Sequence, residues 1–186
     1  MTLLSAPPAF LEAMESLKGH SFRPEVHVTQ IPPPTQIAPY AVALQAEINE
    51  SRSLDPDFYR GNARFVLLHD PKGQPAWDGT FRIVTFLSAP LEEDMSADPL
   101  LGEVAWAWLG EALHAHNAGY MNMTGTVTRI FNETFSGSHL ASSRTEMEMR
   151  VSWSPLNPDL SGHLQAWASF AATACGLAPE GVRTLR

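Results

Sequence analysis

Thr145-Glu146-Met147-Glu148-Met149-Arg150-Val151-Ser152-Trp153 alternates without a break. Apolar or small side chains fall on one parity and charged or polar ones on the other. A period of two is the mark of a strand with one buried and one wet face, and such strands belong to antiparallel sheets covered on one side. Downstream, Pro155 and Pro158 end the strand, and Leu160, Leu164, Trp167, Ala168, Ala171 and Cys175 recur at helical spacing until Gly176. Upstream, Ser136 to Ser143 reads as a turn region, and Met123 to Phe135, rich in Thr, Val, Ile and Phe, as the preceding strand.

The same reading extends to the N-terminus. Asp98-Pro99 starts a helix with Leu101, Val104, Ala105, Trp108 and Ala112 on its stripe, closed by Gly119. Trp106 and Leu113 lie off that stripe, which points to cover on two sides. Pro90 to Pro99 reads as an acidic loop. Arg64–His69 and Thr80–Leu87 form a hairpin with a long tip, Pro71 to Asp78, whose turn signal is Asp70-Pro71-Lys72-Gly73. Ser51 to Arg60 is a polar loop, and Tyr40, Val42, Leu44, Ala46 and Ile48 mark a half-buried strand. Phe22 to Ile31 is a strand stopped by Pro32, Pro33 and Pro34, which lack the N–H a ladder requires. Pro7 and Pro8 open a short first helix carrying Phe10, Leu11, Met14 and Leu17. The expectation is a single domain over residues 1–186 of the α+β class. It has one mostly antiparallel sheet, helices on one face and the order α-β-β-β-β-α-β-β-α.

Composition narrows the functional classes. The net charge is −8 and charged residues make up 17% of the chain, with no run of Lys or Arg. Phosphate backbones and anionic lipids select basic surfaces, so direct nucleic-acid binding and membrane association are disfavoured. No apolar run approaches the roughly 20 residues of a membrane helix. The single cysteine, Cys175, permits neither an internal disulfide nor a cysteine-based zinc site. These features, with an N-terminus unlike a signal peptide, lead to an expected cytoplasmic location.

Chemistry concentrates on the first hairpin, where His69, Asp70, Asp78 and Arg82 lie around one turn. A histidine oriented by a carboxylate is a minimal general base, and an arginine beside it can clamp an anion. The structural reading weighs more heavily: Asp70 opens a turn, Asp78 and Gly79 close it, and Arg82 pairs with an acid across the sheet. Glu111 and His114 form half of a di-iron carboxylate motif whose other half is absent, and His116 points to another helix face, so no metal is expected. Cys175 reads as a small buried hydrophobe. No cofactor motif is found.

Several segments together resemble a known family: Arg23-Pro-Glu-Val26, Leu67-Leu-His-Asp-Pro71, Trp77-Asp-Gly-Thr-Phe-Arg82, Asp98-Pro-Leu-Leu101, Gly125-Thr-Val-Thr-Arg129, Ser152-Trp-Ser-Pro155 and His163-Leu-Gln-Ala-Trp167. In order and spacing they are similar to an actinobacterial family catalogued as domain of unknown function 3000. That resemblance implies a cytoplasmic bacterial protein of this size, encoded near a ribonuclease D-like exonuclease. The element order is also similar to the small dimeric chaperones of type III secretion. The leading expectation is a non-catalytic interaction or binding domain, self-association or another protein partner included. The alternatives are a small-ligand binder or enzyme with a pocket near Trp77–Arg82, and an accessory factor in RNA processing.

Overall fold

The computed structural model describes residues 6–50 and 59–180; most of the polar loop expected at 51–60 lies outside them. The described elements are α1 (Pro8–Ser16), β1 (Val26–Ile31), β2 (Tyr40–Asn49), β3 (Tyr59–Gln74), β4 (Gly79–Leu91), α2 (Glu93–Ser96), α3 (Leu101–Ala115), β5 (Tyr120–Ser136), β6 (His139–Pro155) and α4 (Ser161–Ala174). The strands form one antiparallel six-stranded sheet in the order β1-β2-β3-β4-β6-β5. The fold class is as expected, with one addition: a single helical turn, α2, interrupts the acidic loop.

The alternation in β6 does what its period requires. Thr145, Met147, Met149, Val151 and Trp153 are all buried. The register carries their face across the sheet, through Leu87 and Ile83 on β4, Phe65 and Leu67 on β3, and Ala46 and Val42 on β2. The helices sit on this face. Trp167 of α4 packs its ring on Phe65 at 5.6 Å, and Phe10 of α1 packs on Tyr40 at 5.6 Å. Gly102 of α3 lies over Val127 of β5, and Met95 of α2 joins the same core. The expected α4 stripe is buried throughout, and five alanines let this helix pack closely between its neighbours. The opposite face carries no helix among the described residues.

Two expectations change. The buried stripe of α3 is Leu101, Ala105, Leu109 and Leu113, a strict i,i+4 row; Val104 is outside it, and Trp106 and Trp108 only flank the core. The tip of the first hairpin is shorter than the expected Pro71 to Asp78, and the reversal is not at Asp70–Gly73. That segment stays within β3 as an irregularity between His69 and Gln74, and the turn is Pro75–Asp78, closed by Gln74 opposite Gly79. Asp70 explains the difference: its carboxylate accepts from the Lys72 N–H at 3.0 Å and the Gln74 amide at 3.3 Å, which makes a local Asx turn and returns the chain to the ladder.

Candidate functional site

The corrected register separates the expected constellation. His69 lies opposite Phe81, and Leu68 lies opposite Arg82. Neighbouring residues in a strand face opposite ways, so His69 points into the helical layer and Arg82 to the uncovered face. His69 is buried between the rings of Phe81, Phe10 and Tyr40, with centroids at 4.2, 5.9 and 6.1 Å. Its Nδ1 bonds the Thr80 carbonyl at 2.9 Å, while Nε2 is buried without a protein partner. Donation from Nδ1 leaves Nε2 as a lone pair enclosed by hydrocarbon. Desolvation lowers the His69 pKa against the opposing pull of the Thr80 carbonyl and Asp70, so the ring is held neutral. Asp78 is exposed at the turn with φ 52°, and Asp70 is engaged by its own turn. The four residues do not assemble into a base, an orienter and a clamp.

Arg82 forms a different site. It is buried, and its guanidinium lies across the join of β4, β6 and β5. Nη1 donates to Ser154 Oγ at 3.0 Å; Nη2 donates to Ser152 Oγ at 2.8 Å, to the Ser152 carbonyl at 3.3 Å and to Thr124 Oγ1 at 3.4 Å. Ser154 Oγ in turn donates to the Trp77 carbonyl at 2.5 Å, which pins the β3–β4 turn against β6. The expected acid across the sheet is replaced by hydroxyls: Arg82 makes no salt bridge among the described residues. Burial lowers its pKa, as desolvation must for a cation, yet an arginine stays charged. A solvent-open depression of about 400 Å³ adjoins this site, lined in part by Gly79, Thr80, Met121, Ser154 and Pro155. Ser152 and Ser154 escaped the sequence reading, although the alternation around Trp153 already placed both on the uncovered face.

His163 and Cys175 are also buried. His163 at the start of α4 accepts the Trp153 indole N–H on Nδ1 at 3.0 Å and bonds the Gly119 backbone. Burial brings its pKa down to about 4, against the backbone bond and Asp159. Cys175 is buried and its thiol is pushed up to about 12 by desolvation, so it is no nucleophile. No cluster of His, Cys, Asp or Glu suited to a metal occurs among the described residues. No described helix is long and apolar enough to cross a membrane.

The most unusual exposed surface is the far end of the β5–β6 hairpin. β4 stops pairing with β6 at Thr145, but β5 and β6 continue together to Ser136 and His139. Residues 132–144 therefore project as a two-stranded ribbon, with Phe131 at its base. Phe131 is 63% exposed, Phe135 61% and Leu140 51%.

A family model described as a protein of unknown function (DUF3000) matches residues 6–183. No curated protein and no solved structure matches the chain. The chain belongs to the DUF3000 family.

Proposed function

We propose that this member of the family is a non-catalytic interaction domain that presents the β5–β6 side of its sheet to a protein partner. The observation that carries the reading is the projecting ribbon with solvent-exposed Phe135 and Leu140, and exposed Phe131 at its base. A two-stranded ribbon is marginal on its own, and large exposed apolar side chains favour association. His69 and Arg82 lie on opposite faces of the sheet and Asp78 is exposed at the turn, which supports a non-catalytic reading. A photo-crosslinking residue replacing Phe135, compared with one replacing exposed Glu15 on α1, tests the proposal in the protein's native host cells. Protein adducts should form from position 135 and be depleted at position 15. Adducts at neither position, with a small molecule retained in native mass spectra, would contradict it.

A second reading rests on Arg82. A buried guanidinium bonded, among the described residues, only to neutral oxygens attracts a small carboxylate or phosphate, and its partner Ser154 lines the neighbouring depression. Thermal stabilisation by such anions that disappears in Arg82→Met supports that reading, and equal shifts in both proteins exclude it.

A further inference from the structure

β5 has the properties of an edge left open for pairing. Its bulge lies between Met121 and Thr124, and the later irregularity at Thr134 and Phe135 places its extra residue, Ala141, on β6. β5 is thus regular from Gly125 to the turn at Gly137. It contains neither Lys nor Pro, the usual means of blunting an edge.

We infer that a second copy of the chain occupies this edge, paired antiparallel through β5 about a two-fold axis at Phe131. This inference rests on the interaction reading and names its partner. A two-fold axis normal to the sheet sets each residue opposite its mirror image about the central one, with both side chains on the same face. Centring on Phe131 places Arg129 opposite Glu133 of the second copy, and symmetry repeats the pair. The same register sets Phe131 against itself, Val127 against Phe135, and Thr128 against Thr134. It also sets Gly125 opposite Gly137, so the paired length coincides with the regular stretch of the strand. Centres one residue away oppose Arg129 to Phe131 or Phe135, and centres at Arg129 or Glu133 oppose like charges, which destabilises cross-strand pairs. Arg129 is already held on the helical side of β5, where Nη2 donates to the Asp98 carbonyl at 2.6 Å. A guanidinium carries five donors, so others remain for the facing carboxylate. The two sheets then join as one twelve-stranded sheet with the helices on one side.

Sedimentation of the full chain should give a dimer of the 20.4 kDa protomer. Phe131→Lys should weaken the dimer at least about a hundredfold, and R129E or E133R alone at least about tenfold, by placing like charges opposite one another. Combining R129E with E133R should restore it. Circular dichroism must show each variant folded. The register is tested by oxidation. Phe131→Cys should form a linked dimer, because directly opposite Cα atoms are roughly 4.5–5.5 Å apart, within reach of a disulfide. Glu133→Cys should not link to itself but should link to Arg129→Cys. Buried Cys175 does not compete. A monomer at every concentration overturns the inference. So does a dimer indifferent to Phe131→Lys and R129E, or one in which Phe131→Cys fails to link. A monomer whose position 135 still crosslinks to another protein removes the self-pairing and leaves the interaction domain standing; a monomer without adducts removes both.

Discussion

The two edges of the sheet are built on opposite plans. β1 has six residues, is entered from a turn braced by Arg23, and is closed off by Pro32, Pro33 and Pro34. Arg23 reaches Glu25 through Nε at 3.1 Å and the Ala178 carbonyl through Nη1 at 2.9 Å, which ties this edge to the C-terminal segment. β5 has seventeen residues, ends in a projecting ribbon, and exposes Phe131 and Phe135. A long open edge is an aggregation hazard that proteins ordinarily blunt. This asymmetry between a blunted edge and an open one is what the proposed pairing through β5 rests on.

The largest expected effect breaks the attachment of β5 to the sheet. Gly125→Ala would drive its Cβ into the Arg150 carbonyl and to 2.9 Å from Val151 Cα, both backbone atoms that cannot swing aside. A loss of about 3 kcal/mol or more in chemical denaturation is expected, since backbone collisions belong to the severe class of substitution. A methyl-sized change at exposed Gln30 on β1 should shift stability by no more than about 0.5 kcal/mol.

Acid should weaken the body of the sheet and leave the contrast between its edges intact. His163 is held neutral in the folded state, with its pKa at about 4 against 6.5 for the free side chain. The unfolded chain then binds more protons between those values. The His163 contribution is complete above pH 6.5 and is lost as pH falls toward 4, by about 3 kcal/mol at most. Denaturation midpoints measured across that window should fall with pH in the native chain, and the slope should flatten in His163→Gln.

Arg82 separates fastening from ligand binding. Arg82→Ala should cost about 2–4 kcal/mol, because it empties a buried volume and leaves Ser152, Ser154 and Thr124 without their shared donor. Arg82→Met refills the volume and should cost less. The smallest expected effect on stability is at Phe131→Lys, within about 0.5 kcal/mol by denaturation of the monomer, because the side chain is exposed at the sheet edge.

The body of the fold was more legible than its margins. β6 and α4 declared themselves because their buried faces are continuous and their periods differ, and every residue assigned to the α4 stripe is buried. The first hairpin misled because Asp-Pro-Lys-Gly is a genuine turn signal, and here it makes a local turn within a strand. Without the register, nothing in the sequence assigned His69 and Arg82 to different faces. The ribbon was legible as strand and turn but not as exposed: Phe131 and Phe135 look like core residues until β5 is known to be the edge strand among the described residues.

Backbone amide hydrogen exchange, followed strand by strand from dilute to concentrated protein, tests most directly whether the open edge is the working surface. The account predicts that amides of β5 between Gly125 and Ser136 gain protection as concentration rises, while those of β1 do not change. Gains confined to β1 or to the helical layer, with β5 exchanging freely at all concentrations and in cell extract, would contradict it.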